Sequence, residues 1–195
     1  MATLGLLFSG GKDSALAALI LEPYHDLTLL TGTFGVTDEW RYAATAAESL
    51  GLAFERLDLK QDVAHRAVEQ VRSDGYPRTA IQSVHEHALE VAAATGFDAV
   101  ADGTRRDDRS PRVTDSFARS LEDRHGVEYL APLRGIGHRT IDRLTADLLV
   151  VETGPSADVG RADYEGELRA MLGPEEVRDC FPPHEQSRVV GRAGT

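Results

Sequence analysis

A chain of 195 residues can bury a substantial core as one α/β domain with an appendage. Its formal net charge of -11 comes from 32 acidic against 21 basic residues, and Lys12 and Lys60 are the only lysines. An acidic, lysine-poor surface is expected of a chain kept soluble in concentrated salt, and it counts against nucleic acid as the main partner. A single cysteine, Cys180, excludes an internal disulfide and any Cys-x-x-Cys pair. With no long apolar run and no signal peptide in view, a soluble, cytoplasmic protein is expected.

Leu4–Phe8 is a short apolar run that passes through Ser9-Gly10-Gly11-Lys12-Asp13-Ser14 into an Ala/Leu-rich run ending near Leu21: strand, glycine turn, helix. Leu27–Phe34 reads as a buried strand ending at Gly35. Trp40, Ala43, Ala44, Ala47 and Leu50 fall at helical spacing, and Gly51 stands where a C-terminal glycine belongs. Ala53–Leu59 alternates and suits an edge strand. Two helices follow, one marked by Ala64, Ala67, Val68 and Val71, the other by Ile81, Val84, Ala88 and Val91. Ala99–Ala101 is the next strand, running into Asp102-Gly103-Thr104 and a charged loop through Arg112. Phe117, Ala118 and Leu121 carry a helix to Gly126, Val127–Ala131 reads as a strand, Ile141 and Leu144 belong to a short helix, and Leu148–Val151 is a last strand.

Strands alternating with helices predict an α/β fold, a doubly wound, mainly parallel sheet with helices on both faces. Gly154-Pro155 divides it into a domain over 1–153 and a C-terminal appendage over 154–195, with a helix at Tyr164–Leu172 and an extended end at Arg188–Val190. Ligands in such sheets sit beyond the carboxyl ends of the strands, so the loops after Phe8, Phe34 and Ala101 should share one crevice.

The glycine corner carries the chemistry. Adjacent glycines turn the backbone sharply and leave no side chain between its N–H groups and a ligand, while the following helix aims its free N–H groups and positive dipole end at the same point. Such a corner binds phosphate. Lys12 adds a mobile cation, Ser9 and Ser14 add hydroxyls, and Asp13 is a carboxylate that phosphate repels unless a divalent cation lies between them. ATP with Mg2+ meets all of these conditions. A Walker A loop fails on residue identity, with Leu6 where its first glycine belongs and Asp13 where it needs Ser or Thr.

As it stands, S-G-G-K-D-S resembles the pyrophosphate-binding loop of the PP-loop ATP pyrophosphatases, an N-type, adenine nucleotide alpha-hydrolase-like superfamily that includes GMP synthetase, NAD synthetase, argininosuccinate synthetase, diphthine–ammonia ligase and the tRNA thiolation and lysidine enzymes. Gly103-Thr104-Arg105-Arg106-Asp107-Asp108 resembles the Gly-His-x-x-Asp-Asp segment that follows the fourth strand in the lysidine and thiolation enzymes, with Thr104 in place of histidine. With Pro132-Leu133-Arg134, the resemblance runs over Leu4–Arg134.

The resemblance implies a Rossmann-like fold of the HUP type and an adenylating enzyme: an acceptor oxygen attacks the α-phosphate of ATP, pyrophosphate leaves, and a second nucleophile displaces AMP. It assigns the pyrophosphate to Ser9, Gly10, Gly11, Lys12, Asp13 and Ser14, adenine to backbone groups after Phe34, further nucleotide contacts to Gly103, Thr104 and Arg134, and Mg2+ to Asp13 and Asp107. Lys12, Asp13 and Asp107 are the expected catalytic residues. Thiolation relatives commonly use several cysteines, and this chain has only Cys180, so a small-molecule acceptor and amide or other nitrogen transfer are expected before tRNA. The alternatives are a tRNA-modifying enzyme of the thiolation type and an ATP-binding module of the universal-stress type without turnover.

Overall fold

In the computed structural model, which describes residues 1–156 and 158–194, β1 (Ala2–Leu7), β2 (His25–Thr33), β3 (Ala53–Asp58), β4 (Ala99–Ala101) and β5 (Glu128–Leu130) pair in parallel in the order β3-β2-β1-β4-β5. The order reverses between β1 and β4, so the carboxyl ends of these two strands flank the switch point of the sheet. The expected Rossmann-like α/β architecture is therefore present. β3 is an edge strand, which is why Leu57 is its one buried residue while Leu4, Leu6 and Leu7 of β1 are all buried.

Eight helices complete the described chain: α1 (Lys12–Leu21), α2 (Trp40–Leu50), α3 (Gln61–Asp74), α4 (Arg78–Ala93), α5 (Asp115–His125), α6 (His138–Leu148), α7 (Tyr164–Ala170) and α8 (Pro174–Cys180). The period-2 alternation of β1 decides which helices lie on which face. Leu4, Leu6 and Phe8 pack with α1, α2 and Ile141 of α6, and Leu7 packs on the other face with α3, α4, α5, Leu168 of α7 and Cys180 of α8. Left-handed Gly51, Gly75 and Gly126 terminate α2, α3 and α5, a conformation that costs any residue with a Cβ.

One expected strand is placed differently. The strand predicted at Leu148–Val151 lies outside the parallel sheet. It is β6 (Leu149–Pro155), which pairs antiparallel with β7 (Glu185–Arg192) as a separate two-stranded sheet. β6 follows α6 with no connecting residues, so the chain has no loop in which to turn back from the helix onto the parallel sheet. Leu149 is buried and Val150 half exposed, the pattern of a strand with one wet face. β6 runs through Gly154-Pro155, and the segment beyond it folds back over the molecule. The Arg192 guanidinium donates to the Leu50 carbonyl at the end of α2 (2.6 and 2.9 Å) and to the Glu22 carboxylate (2.9 and 3.0 Å). The expected tail helix is shorter than Tyr164–Leu172 and is followed by α8, which Gly173-Pro174 opens.

Candidate functional site

A cavity of about 360 Å³ opens at the carboxyl ends of β1, β2 and β4, lined by the glycine corner, by Asp102-Gly103-Thr104 and by residues of the tail. Its volume lies within the usual range of small-molecule sites. Gly10 adopts φ 80, a left-handed turn, and its would-be Cβ lies only 3.3 Å from the backbone of Ala43, so both conformation and space demand glycine. Gly11 is the N-cap of α1, with extended backbone and no side chain capping the helix. Apart from the Lys12 N–H, which reaches the Ser187 hydroxyl of the tail (3.4 Å), the first turn of α1 therefore meets the cavity without a side-chain acceptor for its N–H groups.

Lys12 and Asp13 stand on that first turn. The Lys12 ammonium lies 2.7 Å from Asp13 and 3.0 Å from Asp142 of α6, and the other Asp13 oxygen is 3.4 Å from Arg105. Charges of both signs thus alternate around the cavity mouth. The Ser14 hydroxyl donates to the Gly11 carbonyl (3.1 Å), holding the corner from within, and the Ser9 hydroxyl accepts weakly from Gly11 N–H (3.4 Å). Among the described residues no group of three or more His, Cys, Asp or Glu side chains is arranged to hold a metal ion. Of the carboxylates that line the cavity, Asp13 stands on the glycine corner itself, so it is the residue that would hold a magnesium ion there, with phosphate and water oxygens completing the shell.

Behind the corner lies a buried network. The Asp102 carboxylate, 1 % exposed, accepts from His85 Nε2 (2.8 Å), the Tyr129 hydroxyl (3.0 Å), and the Thr104 amide (2.9 Å) and hydroxyl (2.7 Å). Burial pushes this carboxyl up, but the hydrogen bonds from His85 and Thr104 outweigh it and hold the group below the usual carboxylate range. An ionised Asp102 accepts only, so Nε2 of His85 carries the proton it shares, and Nδ1 faces the Tyr164 hydroxyl at 3.5 Å. Burial, reinforced by the Asp102 charge, raises both phenols above their ordinary value. Gly103 is squeezed between this network and α1: a Cβ there would meet Ser14 Cα at 2.7 Å and Ser14 N at 2.9 Å. Gly103→Ala is expected to displace the first turn of α1, costing about 1–3 kcal/mol. Chemical denaturation registers the change.

The tail supplies the opposite wall. Ala162 N–H donates to the Ser9 carbonyl (3.0 Å), Val189 N–H to the Gly10 carbonyl (2.8 Å) and Lys12 N–H to the Ser187 hydroxyl (3.4 Å). Arg161, Asp163, Tyr164, Glu165 and His184 line the same cavity.

The loop after β2 behaves differently from the expectation that its backbone meets adenine. Its donors are taken by the buried carboxylate of Glu167 on α7, which accepts from the Thr33 hydroxyl (2.9 Å) and the amides of Phe34 (2.9 Å) and Val36 (3.0 Å). Phe34 does not line the cavity, whereas Leu30 and Gly32 of β2 do. Asp107 and Arg134 are also outside it. The Asp107 carboxylate accepts from the His138 amide (3.1 Å) and bonds its ring (2.6 Å), which holds its carboxyl well below the usual range; Arg134 pairs with Asp115 (2.6 Å). The reason is local: Asp107 points out of the charged loop to the N-terminus of α6, while Asp108, Ser110 and Pro111 beyond it return to the cavity wall. Ser9, Gly11, Lys12, Asp13, Ser14, Gly103 and Thr104 do meet at the cavity, with Gly10 behind them.

Sequence reasoning missed His85, Asp102 and every tail residue of the wall. Asp102 had a signal, a carboxylate at the buried end of an apolar strand, whereas the tail residues had none.

Glu39, beside Asp163 and Glu167 in a small neighbouring recess, has a buried oxygen without a hydrogen-bond partner. Burial first, then the charges of Asp163 and Glu167, push its carboxyl up to about 7, against the opposing charge of Arg169. An acid whose pKa rises on folding contributes stability that is full below its unfolded pKa and is lost as pH rises through the folded value. Glu39→Gln is expected to flatten the fall in Tm between about pH 4.5 and about pH 7, which thermal melts across that range measure.

The parallel sheet with a glycine corner at its switch point defines a Rossmann-like α/β protein. Within that class the chain belongs to the family described as a family of unknown function (DUF7411), whose model matches residues 2–191. An uncharacterized protein of Methanocaldococcus jannaschii is 38% identical over 189 residues, 95% of this chain and 94% of that relative. A crystal structure from Methanocaldococcus jannaschii, described as a predicted subunit of tRNA methyltransferase, superposes with a TM-score of 0.88 at 36% identity over 98% of each chain. No helix among the described residues is long and apolar enough to cross a membrane.

Proposed function

We propose that the cavity binds ATP with magnesium, cleaves it between the α- and β-phosphates, and activates an acceptor as its adenylate. The observation that carries this reading is the uncapped N-terminus of α1, which meets Gly10-Gly11 and Lys12 at a cavity on the switch point of the sheet. The departing pyrophosphate sits on the amides of the glycine corner and on Lys12, which exchanges its contacts with Asp13 and Asp142 for phosphate oxygens. Asp13 then carries magnesium, which supplies charge neutralisation on the leaving pyrophosphate. The base packs against Leu7, Leu30, Gly32 and Ile81, the apolar part of the lining, because Glu167 already holds the amides after Phe34. The acceptor oxygen forms its bond to the α-phosphorus as the anhydride bond breaks. The protein's work is positional and electrostatic.

Cys180 is buried in the core on α8 and lines no part of the cavity, so nothing in its placement favours sulfur transfer through it. The description of the structural relative favours a second reading of the acceptor, a tRNA in place of a small molecule. Radiolabelled pyrophosphate exchange into ATP, run with pooled small acceptors and separately with bulk tRNA, tests both. Exchange in neither pool, together with no ATP binding by calorimetry, defeats the proposal.

A further inference from the structure

We infer that the rim of the crevice formed by the loop after β4 and by α6 is a docking surface for RNA. The inference rests on the adenylating reading for its purpose, and on the distribution of arginines for its evidence.

Most arginines of this chain are neutralised by a carboxylate of the protein itself, as are Arg41, Arg66, Arg72, Arg161 and Arg188. Among the described residues, the arginines with no carboxylate in ion-pair range all fall between Arg78 and Arg143. Apart from Arg119 on α5 they form one band. Arg78, Arg109 and Arg112 stand where the loop is pinned to α4, through Ser110 Oγ to the Arg78 carbonyl (2.9 Å) and the Arg112 amide to Gln82 (2.7 Å). Arg106, Arg139 and Arg143 stand where it is pinned to α6: the Arg106 amide donates to the Ile136 carbonyl (3.2 Å), its guanidinium lies against Gly137, and the latter two are one helical turn apart. All six are exposed. The acidic residues that interrupt the band are already engaged: Asp107 by His138, Asp108 by Arg105, Asp115 by Arg134 and Asp142 by Lys12. Asp147 closes the band at its far end.

None of the six lines the cavity, whose own cations, Lys12, Arg105 and Arg161, are all paired. A small anionic substrate held in the cavity has no use for them. Free guanidiniums fixed along an exposed rim fit a partner larger than the cavity that carries repeated negative charge, and the phosphate backbone of an RNA is that partner. Asp163 and Glu165 on the opposite rim are paired with Arg161 and Arg169, so the unpaired guanidiniums lie on one side of the crevice only. Whole-chain acidity hides this asymmetry, because net charge says nothing of where the unpaired cations lie.

The test is fluorescence anisotropy of labelled bulk tRNA with the full chain across a salt series. Binding is expected to weaken with a log–log slope of about -3 to -5, as four to six phosphate contacts require. A variant combining Arg106→Gln, Arg109→Gln, Arg139→Gln and Arg143→Gln is expected to bind about tenfold or more weakly and to flatten that slope by about 3. Its circular dichroism should match the wild type, since no intramolecular pair is removed. Arg41→Gln with Arg66→Gln, which removes paired arginines elsewhere, is expected to change nothing. Undetectable tRNA binding, equal binding by the fourfold variant, or equally tight binding of a duplex DNA of the same length each overturns the inference. An ATP titration of the same samples separates the two claims: RNA binding that follows the arginines without any ATP binding sinks the adenylating reading and leaves the docking surface standing.

Discussion

Lys12→Ala is expected to slow pyrophosphate release from ATP by about 10²–10³-fold, the usual cost of removing one group aimed at charge that develops in the transition state. Two carboxylates, Asp13 and Asp142, lie within 3.0 Å of the ammonium, so the free protein already stores the cation at the mouth of the crevice. On the adenylating reading, a magnesium ion held by Asp13 would release Lys12 from that carboxylate to the leaving pyrophosphate, which would make Lys12 and Asp13 interdependent. Asp13→Ala is expected to lose activity to a similar degree and to abolish the magnesium dependence of ATP binding. Both side chains are partly exposed at a helix start, so circular dichroism should not change. Wild-type rates of release in both variants would refute their roles.

Asp102→Ala is expected to destabilise the fold by about 3–5 kcal/mol, because it leaves the donors of His85, Tyr129 and Thr104 buried around an empty position. For a chain of this size that corresponds to a fall in Tm of roughly 6–20 °C. Asp102→Asn keeps the volume but brings an amide that cannot accept from all four donors, so an intermediate loss is expected. The pH dependence follows from the depressed carboxyl: its contribution is full above the unfolded carboxylate pKa and is lost as pH falls through the lower folded value. The variant and the wild type should therefore converge in strongly acidic solution. Parallel melting curves at every pH would show that Asp102 is not ionised in the fold.

What the sequence displays and what it hides divide along physical lines. The strands β1 and β4 announce themselves through apolar runs and β2 through a run of Leu and Thr, since both of their faces are covered, and glycines at the ends of α2, α3 and α5 mark boundaries by a conformation no other residue adopts cheaply. The glycine corner is visible because its residues are contiguous. His85 is hidden: one histidine on an otherwise apolar helix face looks like a packing residue until β4 brings Asp102 beside it. Glu167 is hidden for the same reason, being separated by 133 residues from the Phe34 amide it caps. Asp107 misleads in the opposite sense. It sits at the right place in a motif, but the motif says nothing of the turn that delivers it to His138.

The wall contributed by the tail sets an order of events during synthesis. Lys12 and Ser187 are 175 residues apart, so at a translation rate of about 5–20 residues per second the loop waits roughly 9–35 s for the residues that clasp it. In that interval the nascent chain can pair β1 with β2 and cover both with their helices, because those contacts are local. The carbonyls of Ser9 and Gly10 meanwhile face water until Ala162 and Val189 arrive. The long closure makes the crevice the last part of the molecule to assemble and places it among the contacts of highest sequence separation, which form slowly. A ribosome-bound chain therefore presents the glycine corner without the cavity, which is complete only when the fold is whole.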